Sequence, residues 1–229
     1  MKIGNFNLNS LNSQFANTTL LVGIVILLLG FSLFRSCFVY VEPYEYGIKQ
    51  NNVGFNRGIQ ERVYSTGFHL VVPFLSEMHK FPRNLQVFDL TNTPQSYRVK
   101  SVLPFNRKRH YQLTNTFQDK AAHIQTSDGF FVDVDVSIVF RIEDPLKVIK
   151  TVGTGDLYVS NGLIPKAEPI LKETLGTLTT EEFYNPHLRV EKMKSAEERL
   201  NKDLAEKGIA IEHVLIRYFR YSNEIFEFL

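Results

Sequence analysis

The chain is poor in cysteine: its 229 residues contain one, Cys37. A single thiol closes no internal disulfide, so the fold does not depend on an oxidising compartment. Six histidines are present, His69, His79, His110, His123, His187 and His213, and no two stand at His-x-x-x-His spacing. With one cysteine to assist them, no dedicated metal site is expected, and no cofactor. The glycines form no phosphate-binding loop, no Gly-x-Ser-x-Gly elbow and no Gly-x-Gly-x-x-Gly turn, so the common nucleotide-binding and hydrolase signatures are missing. A large charge excess is missing too. The formal net charge is +2, which gives no electrostatic basis for a nucleic-acid partner. The charge is nevertheless uneven. Residues 36–120 hold 11 Lys/Arg against 6 Asp/Glu, and residues 121–229 hold 13 against 18. A basic half beside an anchor suits anionic lipid; ordinary solvated faces give the same count.

Charge is absent altogether between Lys2 and Arg35. Residues 1–17 are a polar, uncharged tail. From Thr18 to Phe34 the chain is almost wholly apolar, with Leu21, Ile24, Leu28, Phe31 and Phe34 along it. These residues make about 25 Å of helix, the short end for a bilayer core. Cys37 to Val41 can lengthen the run, with Arg35 snorkelling to the headgroups and Phe38 and Tyr40 at the interface. A single transmembrane helix over 18–37 is therefore expected. A cleaved signal peptide fits less well, because the leading segment is long and weakly charged and no small-x-small site follows. A lipoprotein signal ending at Cys37 would carry Arg35 where small residues are wanted. A buried core helix would show a polar face, and none interrupts the run. Cys37 is a candidate for reversible acylation, against the plainer reading of an unmodified interfacial thiol. Orientation stays open, since Lys2 and the amino terminus face Arg35 and Lys49 across the run.

Beyond the anchor, Phe38–Lys49 reads as a strand with Pro43 near its start. Phe68–Phe74 is compact, apolar and strand-like. His79–Leu90, Tyr97–Leu103 and Tyr111–Phe117 are further strand candidates. The cleanest signal runs from Phe130 to Ile142, where every even position is apolar, the period of a strand with one buried face. The pattern then turns helical. Asp144-Pro145 opens a short helix, and a longer one covers about 155–176. Thr179–Glu182 resembles a helix start. A third helix, about 187–207, carries Val190, Met193, Ala196, Leu200 and Leu204 as its stripe and stops at Gly208. Ile209–Phe219 is a closing strand, and 221–229 reads as the beginning of a further helix. The order is β-rich first, then α-rich, which defines an α+β class rather than a doubly wound sheet. Boundaries are set at 38–120 for a membrane-proximal β-rich subdomain and 121–220 for an αβ subdomain.

Two constellations bear on chemistry. Asp133 and Asp135 project from one strand face; paired carboxylates can do acid–base work, but this is the polar face of an amphipathic strand, and solvation is the expectation. Arg107, Lys108 and Arg109 form the one sharp basic cluster, either meeting lipid phosphates or lying in a solvated turn.

Several stretches together resemble the SPFH (band 7) family of stomatins, prohibitins and bacterial relatives. The first is the membrane segment followed by Val41-Glu42-Pro43 and Gly47-Ile48. The second is Gly58 to Phe74, with Gly67-Phe68-His69 and Pro73 inside it. The third is Thr126-Ser127-Asp128-Gly129, the alternating strand and Arg141-Ile142-Glu143-Asp144-Pro145. The last is a helix, Gly208-Ile209 and a strand. The likeness covers roughly residues 38–225 and is nearest the prohibitin branch. It implies a transmembrane helix followed by an SPFH domain, and a scaffold rather than an enzyme. It also implies homo- or hetero-oligomers with SPFH proteins, contact with membrane lipids, and regulation of membrane proteins such as an AAA protease. By analogy the location is a bacterial inner membrane with the domain in the periplasm. Two departures stand out. The sequence ends where the family's coiled coil is expected, and residues 92–120 carry extra sequence. Two other readings remain open at this point: a monomeric lipid-binding accessory protein, and an enzyme with an unrecognised site.

Overall fold

The computed structural model describes residues 22–28, 30, 31, 34–54, 57–92 and 116–221. Within the N-terminal apolar run, residues 22–28, 30–31 and 34–36 are helical. Among the described residues no helix is long and apolar enough to cross a membrane; the remainder of the run lies outside them.

The helical turn ends at Cys37, and ten strands follow among the described residues. β1 (Phe38–Val41) and β4 (Gly67–Leu70) form an antiparallel two-stranded ribbon. β2 (Glu45–Asn51), β3 (Gly58–Tyr64) and β5 (Ser76–Pro82) form a three-stranded sheet with β2 in the middle. The expected single strand over 38–49 is therefore broken. Pro43 has no N–H for a ladder, and Glu45 N–H bonds back to the Glu42 carbonyl at 3.1 Å, closing a turn. The expected His79–Leu90 strand is divided in the same way at residues 83–85, and its second part, β6 (Gln86–Leu90), joins a different sheet.

That larger sheet has the order β10-β9-β6-β7, with β8 (Ala122–Gln125) beside the first part of β9. β7 spans Thr116–Asp119 and runs parallel to β6. β9 spans Phe131–Ile142 and buries Val132, Val134, Val136, Ile138, Phe140 and Ile142. Alternation predicts this face; only Phe130 departs from it, lying before the strand and exposed. β10 (Ile209–Tyr221) is two residues longer than its pattern suggested. Its inward residues Ile209, Ile211, Val214, Ile216, Phe219 and Tyr221 are not evenly spaced. Bulges between Ile211 and His213 and between Ile216 and Tyr218 absorb the two extra residues and return the apolar side to the core.

The helices complete that core. α1 (Pro145–Thr151) is capped by Asp144, whose carboxylate accepts the N–H groups of Leu146 and Lys147 at 3.1 Å. The helix expected over 155–176 is split into a π-helical turn, Tyr158–Leu163, and α2, Ile164–Leu175. The backbone stays helical through Leu163 and Ile164, so only the hydrogen-bond register changes there; Pro165 marks the place, since it has no N–H to continue an incoming ladder but suits the first turn of α2. At Thr179 the start signal is real and the helix is not. Thr179 and Glu182 bond each other's backbone N–H groups at 3.0 and 3.2 Å, a reciprocal capping box. The turn it opens lasts only from Glu182 to Tyr184. Asn185 is extended before Pro186 and caps α3 (Pro186–Ala205). Ala167, Leu171 and Leu175 of α2 and Ala196, Leu200 and Leu204 of α3 join the inward face of β9 in one cluster. Two α3 side chains also reach the free edge of β10, where Asn201 Oδ1 accepts Ile211 N–H and Glu197 Oε2 accepts Val214 N–H.

Candidate membrane-contact site

The ribbon is built where the apolar run ends. Cys37 N–H bonds the Phe34 carbonyl at 3.1 Å, and the Cys37 carbonyl accepts Val71 N–H at 2.8 Å. The end of the helix and the exit of β4 are thus tied through one residue. In the ribbon Phe38 pairs with Leu70 and Tyr40 with Phe68. Because side chains alternate along each strand, these four share one face, and all four are exposed. Tyr40 and Phe68 lie ring to ring at 4.9 Å, and Phe34 meets Phe38 edge-on at 5.1 Å. Through the Phe34–Phe38 contact, the apolar end of the helix meets the outward face of the ribbon.

The opposite face points into the domain. Val41 is fully buried, and it approaches β2 at Gly47, where a Cβ would lie 2.9 Å from Val41 Cγ2. His69 Nε2 donates to the Ser65 carbonyl at 2.7 Å, and its ring meets Tyr64 edge-on. Lys49 Nζ donates to the Leu70 carbonyl at 3.0 Å. These contacts set which face of the ribbon looks outward.

The chain then makes a tight turn, with Leu75 and Ser76 N–H groups on the Val72 carbonyl and Ser76 Oγ accepting Val72 N–H. Phe74 stands on this turn at φ 69°, the one non-glycine residue with positive φ among the described residues, and its side is 93% exposed. An aromatic residue in that region costs about 1–2 kcal/mol, and leaving its ring in water forfeits on the order of 2 kcal/mol of burial. Val72 and Leu75 beside it are exposed as well. Contiguous exposed apolar surface of this kind marks a protein or membrane contact.

Of the residues singled out in the sequence, Ile24, Leu28, Phe31, Phe34 and Arg35 are helical and exposed, Cys37 is half-buried at the junction, and Tyr40 is on the outward ribbon face. Thr18, Leu21, Arg107, Lys108 and Arg109 lie outside the described residues. Phe68, Leu70 and Phe74 lie in a segment whose sequence reads simply as strand; the signal for the exposure of Phe68 and Leu70 is the apolar spacing of two at 68 and 70, matched by 38 and 40. Asp133 and Asp135 take different partners. Asp133 meets His123 at 2.7 Å, while Asp135 accepts the Thr91 hydroxyl at 2.6 Å.

The arrangement defines an α+β domain, β-rich in its first half, that carries a broad apolar surface at its N-terminal end. Residues 39–229 match the family model of the SPFH domain / Band 7 family, and the chain belongs to that family. No curated protein matches the chain.

Proposed function

We propose that the protein is a single-pass membrane scaffold. Residues 18–37 cross the bilayer, the SPFH domain rests against one surface, and the chain associates with itself or a related SPFH protein to organise a membrane patch. The observation that carries the reading is the contact of Phe34 with Phe38 and the exposed face that Phe38 shares with Tyr40, Phe68 and Leu70. Membership of a family of membrane scaffolds supports the rest. The regulated clients would be membrane proteins within the patch, including an AAA protease, and the setting a bacterial inner membrane with the domain in the periplasm.

Alkaline extraction of membranes, followed by native sizing in mild detergent, tests both parts. The protein is expected to stay with the pellet and to migrate as a large assembly. Release into the supernatant would overturn the anchor, and a single species of monomer size would overturn the scaffold in favour of a monomeric lipid-binding protein. Protease protection in spheroplasts reads the side: digestion from outside supports the periplasmic placement, and protection overturns it.

A further inference from the structure

We propose that the second half of β10 takes up an extended acidic segment of a partner protein, which adds as a strand at the open end of the large sheet. The contact goes beyond the scaffold reading and does not depend on it.

β10 ends the strand order of the large sheet, so β9 covers one of its edges and no strand among the described residues covers the other. α3 closes the first half of that free edge, as far as Val214, through Asn201 and Glu197. Beyond Val214 no side chain among the described residues bonds a β10 N–H. The run 215–221 offers about 23 Å of ladder at strand rise, and open backbone of this kind is the template on which extended peptides add. A groove of about 370 Å³ follows it, lined by Arg217, Tyr218, Phe219, Arg220, Tyr221 and Tyr184. Alternate residues of a strand line a face, whereas consecutive residues line an edge. The groove therefore runs along the free side of β10.

The lining selects the occupant. It holds two arginines and no carboxylate. Arg217 leans on Asp89. Arg220 has no ion pair among the described residues: its guanidinium lies over the Tyr218 ring at 5.8 Å, and Asp133 and Asp135 act on it only from a distance. Tyr184 and Tyr218 are both more than half exposed and present apolar rings with polar tips. An incoming strand with carboxylates at alternate positions would set them against Arg220 while its backbone completes the ladder. A second copy offering its own β10 fits worse, because the arginines of both chains would crowd one short ladder, where like charges oppose pairing.

The test titrates full-length protein in mild detergent into the fluorescein-labelled peptide Glu-Val-Glu-Val-Glu-Val. Its Lys-Val-Lys-Val-Lys-Val counterpart, and a form of the first methylated at every backbone nitrogen, are run beside it. Saturable binding of the glutamate peptide is expected, at least tenfold weaker with lysines and at least tenfold weaker with the methylated backbone. Deuterium uptake should fall over residues 215–221 when the glutamate peptide is bound and stay unchanged over 209–214. Arg220→Glu should reverse the preference between the two charged peptides, and Arg220→Lys should keep it. Absence of saturable binding, equal affinity for the glutamate and lysine peptides, or equal binding of the methylated form would each overturn the strand addition. So would an unreversed preference in folded Arg220→Glu, or binding that leaves uptake over 215–221 unchanged. Uptake over 215–221 already as low in the free protein as over 209–214 would show the edge covered by another copy or by the chain itself, and overturn it equally. Far-ultraviolet circular dichroism checks that the variants fold; if Arg220→Glu does not, the peptide comparison and the exchange pattern of the unaltered protein still decide. Release from membranes or a monomeric size would overturn the scaffold and leave these readings as they are.

Discussion

Arg217 reaches back across the sheet to Asp89, with 3.4 Å between Nη1 and Oδ2. It can do so because Arg217 is the extra residue of the second β10 bulge, which re-aims a side chain that regular pairing would direct elsewhere. The Asp89 carboxylate is only 4% exposed and otherwise accepts the Ser137 hydroxyl at 2.5 Å. Arg217→Ala leaves that buried charge with a neutral donor, and a loss of about 1–3 kcal/mol is expected in chemical denaturation. Adding Asp89→Asn should recover part of it. Additive losses in the double variant would show that the two side chains do not interact.

Gly208 joins α3 to β10 at φ 82°. Its carbonyl accepts the N–H groups of Glu143 and Asp144, and a Cβ there would run into the Asp144 carbonyl oxygen. Gly208→Ala therefore combines a left-handed backbone with a backbone clash. A loss of at least about 2 kcal/mol is expected, read as a lower melting temperature; Gly54→Ala, where φ is also positive but the space is open, should cost less.

Tyr158 holds the pieces of the domain together. Its ring contacts Phe81 of β5, Phe117 of β7 and Phe140 of β9, with centroids 6.4, 5.9 and 6.1 Å away. Burial, with the charge of Asp156, pushes its hydroxyl well above the usual phenol range, so it stays protonated at any ordinary pH. Tyr158→Ala is expected to cost about 3–5 kcal/mol, and Tyr158→Phe less than about 1.5 kcal/mol. Equal effects would mean that the hydroxyl, not the ring, is what matters.

Asp128, in the turn between β8 and β9, accepts the Thr180 N–H at 2.9 Å. Burial opposes its ionisation, but hydrogen bonds from Thr126 and Thr180 outweigh it and hold the carboxyl below its usual range. The unfolded chain thus takes up this proton more readily than the folded one. The stabilisation is complete above about pH 4 and fades as pH falls through the lower folded value. Asp128→Asn should flatten the acid limb of a stability–pH curve. A carbon-13 titration of the native side chain placing its midpoint at or above the ordinary value would refute this.

How much of this was legible depends on what the signal measures. The inward face of β9 was readable residue by residue because a long strand with one buried face repeats every two positions. The stripe of α3 was readable for the same reason at helical period, although Val190 within it is exposed. The division of 155–176 was not, since the apolar positions continue smoothly through Leu163, Ile164 and Ala167 and only the missing N–H of Pro165 marks the change. The sheet membership of β6 depends on partners far along the chain, which no local pattern encodes. At the candidate site, Tyr40 and Phe34 were identified by proximity to the apolar run. Phe68, Leu70 and Phe74 were hidden because exposed and buried apolar residues look alike until the pairing of β1 with β4 shows which side faces out.

Under the proposed membrane-anchored function, the hold of α3 on β10 through Asn201 and Glu197 acquires a second consequence, because the chain would be confined to a plane. Chains restricted to a surface meet one another far more often than the same number in solution, and they meet side-on in a fixed orientation. An uncovered strand edge under those conditions zips to its neighbour by backbone pairing alone, indifferent to sequence. With two of its outward N–H groups already occupied, the first half of β10 is withdrawn from such pairing. Encounters along that flank are left to side chains, which can tell a proper neighbour from a stranger.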